Sequence, residues 1–235
     1  RVEAGRITGV LAATGAMYNA RALGVAAGVY AKSRILIGEY SKESGPRGLF
    51  AAEGLSGALA ELGYDLRRFK TGTPARVHRA SLDYGKMQPQ WGDDRPIPFS
   101  FLHDRLRSPQ LPCYLTYTNE NTHRIILDNL DRAPMYSGKV KGTGARYCPS
   151  IEDKVVRFAH RERHQLFLEP EGLTTDEVYV QGLSTSLPED VQLAFLRSIK
   201  GMEEVALMRP AYAIEYDCID ATSLSLSLES RTVEG

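Results

Sequence analysis

Short apolar runs separated by turn residues predict strands at the start of the chain. Residues 7–13 and 17–22 lie on either side of a Thr-Gly turn signal at positions 14–15 and predict a β-hairpin. The compact apolar run at residues 23–27 ends at Gly28 and is typical of a strand buried on both faces of a sheet. The pattern therefore predicts that strands precede the first helix.

Helical spacing of apolar side chains appears later, each time beside a residue that starts or stops a helix. Three leucines within residues 51–62 fall on one helical face, and Gly63 follows as a stop signal. Ser150 and Asp153 have the spacing of a capping box. The predicted helices are residues 51–62, a segment that Thr118 or Asn119 caps and that runs to Leu130, a segment that begins at Ser150, and a segment that starts at Ser186 with Pro188 and ends at Gly201.

Loops and further strands fill the rest of the chain. Polar and glycine-containing stretches predict loops at residues 41–48 and 70–74. Prolines interrupt residues 78–112, which predicts an inserted, loop-rich β region. Strands are predicted at residues 111–118, 165–168, 205–208 and 211–216. Strands and helices in this mixed order predict an α/β fold.

Composition excludes several classes of protein. The chain has 235 residues, and its 29 Lys and Arg balance its 29 Asp and Glu. A globally basic nucleic-acid coat and a highly charged disordered chain are therefore excluded, although a local basic site is not. No apolar run approaches the ~20 residues of a membrane-spanning helix. Three distant cysteines without a Cys-x-x-Cys pair indicate a reducing compartment.

The most informative stretch for chemistry is residues 144–154, where a glycine, an arginine and a cysteine come directly before a predicted helix. A helix N-terminus offers unpaired N–H groups and a positive dipole end, so it can bind a phosphate or pyrophosphate with Arg146 as a forked partner. The same field favours the thiolate form of a nearby cysteine, which makes Cys148 a candidate reactive group. The competing interpretation is an ordinary capped helix that follows a small, buried cysteine.

Other polar groups carry weaker signals. His160 and His164 have a spacing that two metal ligands can use, but no third ligand is evident, and no metal site is predicted. Basic residues within positions 67–79 can follow a phosphate backbone, or they form a solvated face. The chain carries neither a Gly-x-Gly-x-x-Gly fingerprint nor a Walker loop. The residues by themselves indicate an α/β enzyme segment with an anion site and a poised cysteine.

Seven longer motifs occur in order along the chain. They are Lys-Thr-Gly-Thr-Pro-Ala-Arg at 70–76, Pro-Cys-Tyr at 112–114 with Thr-Asn at 118–119, Ala-Pro-Met-Tyr at 133–136, Arg-Tyr-Cys-Pro-Ser-Ile-Glu-Asp-Lys at 146–154, Phe-Leu-Glu-Pro-Glu-Gly at 167–172, Ser-Thr-Ser-Leu-Pro at 184–188 and Tyr-Ala-Ile-Glu-Tyr-Asp at 212–217. Together they resemble the GidA (MnmG) family of flavin-dependent tRNA uridine 5-carboxymethylaminomethyl modification enzymes. The resemblance covers nearly the whole chain.

The resemblance implies part of an FAD- and NAD(P)-binding α/β fold like that of glutathione reductase, with an inserted α/β domain. Residues 1–70 correspond to part of the flavin-binding domain, 71–205 to the inserted nicotinamide- and substrate-side domain, and 206–235 to a return to the flavin-binding domain. The implied cofactors are FAD and NADH, with methylenetetrahydrofolate as one-carbon donor. The implied partners are tRNA, an MnmE-type GTPase and a second copy in a homodimer, in the cytoplasm and without a membrane.

The resemblance also implies site residues. Cys148 matches a cysteine that is considered important for catalysis in the family, and Arg146 and Lys154 are assigned to catalysis beside it. The nicotinamide-nucleotide segment corresponds to residues 144–158, and Ala52 falls near a flavin contact. The cofactor-binding residues predicted in this way are Gly144, Ala145, Arg146, Tyr147, Cys148, Pro149, Ser150, Ile151, Glu152, Asp153, Lys154, Val155, Val156, Arg157, Phe158 and Ala52.

The resemblance leaves two alternatives. The family's first dinucleotide loop and its closing glycine-rich flavin segment have no counterpart here, so the sequence resembles the middle of the enzyme, and this fragment alone is expected to be inactive. A related folate- and FAD-dependent tRNA uridine C5-methyltransferase is the alternative in the same class, although the long insertion between residues 70 and 200 favours the first interpretation. The alternative from another class is a non-catalytic tRNA-binding or assembly fragment.

Overall fold

Two β-sheets, each built from strands that are distant in the sequence, organise the molecule. The structure is a computed structural model that describes residues 1–106, 109–144 and 148–235. Two short hairpins precede the sheets at the N-terminal end, and the helices of the described residues are short.

The regular elements are as follows in chain order. The strands are β1 (Val2–Glu3), β2 (Arg6–Ile7), β3 (Gly9–Leu11), β4 (Met17–Asn19), β5 (Arg34–Ile37), β6 (Tyr40–Glu43), β7 (Leu66–Thr73), β8 (Arg76–His78), β9 (Gln88–Gln90), β10 (Cys113–Tyr117), β11 (Thr143–Gly144), β12 (Gln165–Pro170), β13 (Glu177–Gln181), β14 (Leu207–Arg209) and β15 (Tyr212–Ile219). The α-helices are α1 (Glu53–Glu61), α2 (Glu120–Leu127), α3 (Ile151–Arg157) and α4 (Glu189–Arg197).

The first sheet has the strand order β11-β7-β15-β5-β6. Its centre is the antiparallel pair of β7 and β15, which runs from Leu66 opposite Ile219 to Thr73 opposite Tyr212. β11 pairs with the other edge of β7 in parallel. β7 is therefore an inner strand, although most of its side chains are polar.

The second sheet has the order β14-β8-β13-β12-β10-β9, and each of these pairs is antiparallel. Its core joins the strands to α2, α3 and α4. Leu166 and Val180 from the sheet meet Ile126, Ile151 and Phe195 from the helices, and each of the five is at most 1% exposed. Burying one such side chain contributes about 1.5–3 kcal/mol, so this core is the main source of stability for the described part of the chain.

The two sheets are joined by a very short connection. β7 ends at Thr73 and β8 begins at Arg76, so only Pro74 and Ala75 lie between strands of different sheets. Both residues are buried, and Arg76 Nη1 donates to Thr73 Oγ1 at 2.6 Å and to the Pro74 carbonyl at 3.0 Å. Glu171, which directly follows β12 of the second sheet, forms ion pairs with Arg76 and with Arg47. The connection is therefore packed and hydrogen-bonded on both sides.

The four predicted helices all form, because their start and stop signals are local. Asn119 Oδ1 accepts the N–H of Thr122 at 3.0 Å, and Ser150 Oγ accepts the N–H of Asp153 at 3.2 Å. Both helix starts are complete capping boxes. Gly63, which follows α1, has a φ of +86°, the left-handed conformation that glycine adopts without a steric cost.

The predicted strand at residues 23–27 is wrong, since no strand forms there. Most of this run is exposed, and Val25 is 55% exposed. Its first N–H, from Leu23, bonds to the carbonyl of Gly235 instead of to a neighbouring strand. The hairpin predicted just before it does form, but only as β3 and β4. An apolar run becomes a buried strand only where another strand lies beside it.

Two predicted loops are also wrong. Residues 70–73 belong to the inner strand β7, and β6 occupies part of the predicted loop at residues 41–48. In both places the long-range pairing with β15 or β5 overrides a polar sequence. The strands β5 and β13 lie in segments for which no element is predicted. The loop-rich region after residue 78 and the strand before Thr118 form as predicted.

Candidate functional site

Residues 142–158, here named the crossing segment, pass from the first sheet to the second. Gly144 belongs to β11 of the first sheet, and α3 packs into the core of the second through Ile151 and Val155. Cys148 lies between them and is half-buried, with its Sγ 3.5 Å from Thr71 Oγ1 of β7. The crossing segment therefore holds a thiol against the inner strand of the first sheet.

The sheet face beside this thiol is partly aromatic. Phe69 lies opposite Tyr216 and Thr71 lies opposite Ile214, and residues two apart on a strand share a face. The rings of Phe69 and Tyr216 are 6.3 Å apart between centroids. Burial raises the pKa of Tyr216, and the nearby charges of the Cys218 and Cys148 thiolates add to this effect. Cys148 is thus close enough to Tyr216 for the two side chains to interact electrostatically.

Lys154 is the cation that acts on Cys148. Its Nζ donates to the carbonyl of Gly182 at 3.0 Å, and its side chain is half-buried. Burial lowers the pKa of Lys154, and the negative charge of a Cys148 thiolate acts in the opposite direction. Lys154 and Cys148 are therefore near enough to interact electrostatically, and the catalytic roles assigned to both stay predictions.

The N-terminus of α3 does not offer the unpaired N–H groups that the sequence suggests. The N–H of Ser150 donates to Asp153 Oδ2 at 3.2 Å, and that of Ile151 donates to the Ser184 carbonyl at 2.8 Å. The N–H of Asp153 donates to Ser150 Oγ at 3.2 Å. The interpretation of this terminus as a phosphate cradle is therefore wrong for these three donors, because the protein's own acceptors occupy them.

Glu152 is a buried residue that stabilises the fold. Its side chain is fully buried, and its Oε1 accepts Thr185 Oγ1 at 2.7 Å and the N–H of Ser186 at 3.2 Å. Burial raises the pKa of this carboxyl, although these hydrogen bonds act against the shift. Glu152 therefore ties the start of α3 to the loop before α4 and faces no solvent.

The other predicted cofactor-binding residues differ in their exposure to solvent. Ser150, Ile151, Glu152 and Val155 are buried, while Cys148, Asp153 and Lys154 are half-buried. Gly144, Pro149, Val156, Arg157 and Phe158 are exposed. Ala145, Arg146 and Tyr147 lie outside the described residues, so their assigned roles stay predictions.

Ala52 lies beside Ala31, near β15. It is half-buried and immediately precedes α1, and its N–H donates to the Tyr30 carbonyl at 2.8 Å. The adjacent Ala31 carbonyl accepts the N–H of Asp217 in β15 at 2.8 Å. Ala52 and Cys148 are therefore both attached to the neighbourhood of β15, and the flavin role of Ala52 stays a prediction.

Glu215 is a site residue that the sequence does not single out. Its side chain is 0% exposed, pairs with Arg34 at 2.5 Å, and accepts the N–H groups of Lys141 and Gly142 at 2.5 and 2.6 Å. Burial acts to raise the pKa of Glu215, but the hydrogen bonds from Arg34 and the two N–H groups outweigh it and hold that pKa below its usual range. The sequence signal that could have identified Glu215 is the presence of a carboxylate within the apolar run of β15.

Gly142 allows the crossing segment to approach β7. A Cβ on this residue would lie 2.7 Å from the carbonyl carbon and oxygen of Phe69, which is closer than such atoms pack. Gly142 therefore has to lack a side chain for β11 to pair with β7. Glu215 and Gly142 together fix the point at which the crossing segment leaves the first sheet.

The described residues contain neither a membrane-spanning helix nor a cluster of metal ligands. Within residues 1–106, 109–144 and 148–235, no helix has the length and hydrophobicity to cross a membrane. In the same ranges, no group of three or more His, Cys, Asp or Glu side chains could hold a metal ion.

These features define a mixed α/β chain in which a cysteine-bearing segment bridges two sheets beside a partly desolvated lysine. A family model described as "Glucose inhibited division protein A" matches residues 1–235. The chain belongs to this family, GidA, and the resemblance read from its motifs is confirmed.

Proteins and structures of the same family agree with this assignment. The chain is 56% identical over 234 residues to the tRNA uridine 5-carboxymethylaminomethyl modification enzyme MnmG of Caldicellulosiruptor saccharolyticus, covering 100% of this chain and 37% of that protein. It is 55% identical to the enzyme of the same name from Syntrophomonas wolfei, covering 100% of this chain and 38% of that protein. The structure of Aquifex aeolicus GidA in the form II crystal matches with a TM-score of 0.90 and 43% identity, covering 100% of this chain and 38% of that chain. The predicted α/β fold is thereby confirmed, and the chain spans less than two fifths of the length of these relatives.

Proposed function

We propose that the protein carrying this chain adds a carboxymethylaminomethyl group to C5 of the wobble uridine of tRNA. The observation that carries the proposal is the identity of 56% and 55%, across all of this chain, to two enzymes named for that modification. It favours this reaction over the related C5-methylation, because these relatives are named for the carboxymethylaminomethyl product.

The proposal includes the cofactors and partners of the whole protein. They are FAD, NADH, methylenetetrahydrofolate, an MnmE-type GTPase and a second copy of the protein, all in the cytoplasm. Residues 1–70 and 206–235 form part of the flavin-binding domain in this proposal, and residues 71–205 form the inserted domain. The strands β5, β6 and β15 of the first sheet support this division, whereas β11 of the inserted part joins the first sheet and β14 of the C-terminal part joins the second.

Within the crossing segment, the exposed residues fit NADH better than the start of α3 does. The backbone donors at the start of α3 are already hydrogen-bonded, and the inner face of the helix is buried. Residues 156–158 are exposed, and among the described residues other than its chain neighbour no heavy atom lies within 4 Å of the position a Cβ would take on Gly144. These exposed residues would hold the dinucleotide, which supplies a hydride when bound.

Cys148 is the nucleophile in this proposal. Thr71 Oγ1 at 3.5 Å holds the sulfur against β7, and Lys154 places a positive charge nearby. A thiolate that adds to C6 of the pyrimidine ring raises the electron density at C5, which then forms a bond to the one-carbon unit; loss of the C5 proton expels the thiolate and restores the C5–C6 double bond. The chain's own contribution is therefore to position one sulfur beside the sheet and near a cation.

The test is the variant Cys148→Ser in the full-length protein. We expect modification of the uridine to be lost, because a serine hydroxyl at neutral pH is a far weaker nucleophile than a thiolate. Bound flavin, measured by its visible absorbance, should remain, since the substitution leaves the fold intact. Normal modification by this variant would remove Cys148 from the mechanism.

The other two cysteines provide matched controls. Cys218 is exposed at the end of β15, so Cys218→Ser should modify uridine at the wild-type rate. Cys113 is half-buried in β10, and burial raises its pKa, with the charge of Glu169 adding to the effect. Cys113 therefore stays a thiol at neutral pH, and Cys113→Ser should also remain active. Loss of activity in this variant alone would transfer the nucleophile's role to Cys113.

A further inference from the structure

A large open cleft lies on the second sheet, and Val155 is the one described residue of the crossing segment that lines it. It is formed by the end of β10, by α2 and by residues 159–163, and its volume is about 1360 Å³. Leu115, Tyr117 and Thr118 are among its lining residues. We refer to it as the β10 cleft.

Positive charge concentrates in the β10 cleft, although the whole chain is neutral. Five cations line it against three carboxylates, and all eight side chains belong to exposed residues. The cations are Lys86, Arg124, Arg161, Arg163 and Lys200, and the carboxylates are Glu120, Asp128 and Glu162. Lys86 pairs with Asp83 and Glu203, but within the described residues none of the other four cations lies within 4 Å of a carboxylate oxygen. Four guanidinium or ammonium groups that line the cleft therefore have no carboxylate partner among the described residues.

The side chains around these cations are held in place. The guanidinium of Arg163 lies 4.2 Å from the ring centroid of Tyr117. Thr118 Oγ1 contacts His123 Nε2 at 2.7 Å and accepts the N–H of His164, also at 2.7 Å. Arg124 donates to Asn121 Oδ1 at 2.7 Å. A surface with fixed side chains binds a ligand at a lower entropic cost than a mobile one.

The size and composition of the cleft favour a polymer over a dinucleotide. Pockets for small molecules usually measure roughly 300–1,000 Å³, and this cleft is larger. Dinucleotide sites bring glycine backbone against the pyrophosphate, whereas no glycine occurs among the described residues that line this cleft. Dispersed lysines and arginines are the usual way in which proteins follow a nucleic-acid backbone.

We propose that the β10 cleft binds the phosphate backbone of the RNA substrate. This inference rests on the proposed function for the identity of the RNA, and it assigns the contact to residues that lie apart from Cys148. Arg124, Arg161 and Lys200 contact phosphates, and Arg163 stays with Tyr117 as part of the wall.

The test compares two triple variants of the full-length protein. Arg124→Gln, Arg161→Gln and Lys200→Gln together remove three cations from the cleft, while Arg21→Gln, Lys42→Gln and Arg95→Gln remove three exposed cations outside it. Binding of unmodified tRNA is measured over a range of salt concentrations. We expect the cleft variant to bind on the order of tenfold more weakly at low salt, with the slope of log K against log salt reduced by about 2–3. The control variant should match the wild type.

Three outcomes separate this inference from the proposed function. If the wild type binds tRNA and the cleft variant binds with an unchanged slope, the inference is overturned and the proposed function stands. If the wild type binds no tRNA, both are overturned. NADH-dependent reduction of the flavin, measured without RNA, should be unchanged in the cleft variant. A loss of that reduction with an intact salt slope would show that the cleft holds the dinucleotide instead.

Discussion

Glu215 shows how one side chain can decide where a functional segment begins. Its carboxylate is enclosed by Arg34 and by the N–H groups of residues 141 and 142, so it fixes the backbone just before the thiol-bearing stretch. Charged hydrogen bonds of this kind are roughly twice as strong as neutral ones. The negative charge is therefore part of the architecture of the site and needs no substrate to explain it.

The variant Glu215→Gln tests this role. Because the folded-state pKa of Glu215 is lowered, its stabilisation is present above the unfolded-state pKa and is lost as the pH falls through the folded-state pKa. We expect the variant to lose about 1–3 kcal/mol of unfolding free energy at neutral pH. The difference from the wild type should narrow as the pH falls below 4.5, the ordinary value for this carboxyl.

Urea unfolding at a series of pH values measures the effect. Glu204→Gln is the matched control, since Glu204 is exposed and its removal should leave the curve unchanged. A difference between Glu215→Gln and the wild type that stays constant from neutral to acidic pH would contradict the role of the charge.

At the scale of the element, α3 is a short helix whose first turn is hydrogen-bonded by its own side chains. Ser150 and Asp153 cap each other, so the helix is stabilised locally before it packs on the second sheet. We expect Ser150→Ala to lower the unfolding free energy by about 1 kcal/mol, and by no more than about 2. Thermal unfolding followed by circular dichroism measures this change.

Ser137→Ala is the control for the cap, because Ser137 is exposed and lies outside every helix and strand. An equal loss of stability in both variants would mean that the capping box contributes nothing specific. The comparison thus separates the hydrogen bonds of the cap from the general effect of removing a hydroxyl.

Local signals predicted the helices of this fold better than its strands. Gly63, Asn119 and Ser150 act on their own immediate neighbours, so their effect can be read from a few residues of sequence. Lys70 lies in an inner strand only because β15, more than a hundred residues later, pairs with it. For the same reason residues 23–27 were predicted wrongly, because their hydrophobicity does not reveal whether a partner strand exists.

The features of the candidate site likewise could be predicted only where their signals are local. The helix start beside Cys148 could be predicted, because both the cap and the cysteine lie in one short motif. The occupation of its N–H groups could not, since the acceptor for Ile151 is the carbonyl of Ser184 on a different segment. Glu215 likewise acts on residues about 70 positions earlier, as its hydrogen bonds to Lys141 and Gly142 show.

At the scale of the whole molecule, the crossing segment links the two sheets, and Gly142 sets how closely it can approach the first one. We expect Gly142→Ala to cost about 1–3 kcal/mol of unfolding free energy through overpacking against Phe69. The displaced segment should also make Cys148 react faster with iodoacetamide, as followed by mass spectrometry of the labelled peptide. Gly144→Ala is the control from two residues further along, because none of the described residues other than its chain neighbour lies within 4 Å of its added methyl group.

If Gly142→Ala left both the stability and the labelling rate of Cys148 unchanged, the close approach of β11 to β7 would not control the position of the thiol. If Gly144→Ala had the same effect as Gly142→Ala, the cause would be the lower flexibility of the backbone and not steric contact. The pair of variants therefore distinguishes the two explanations.

The two-residue connection between β7 and β8 also limits how the two sheets can move relative to each other. Pro74 and Ala75 are both buried, and Arg76 hydrogen-bonds back across the connection, so a large change in the angle between the sheets would break these contacts. Under the proposed function, the approach of a nucleotide to Cys148 would therefore depend on the backbone of the crossing segment more than on a hinge between the sheets.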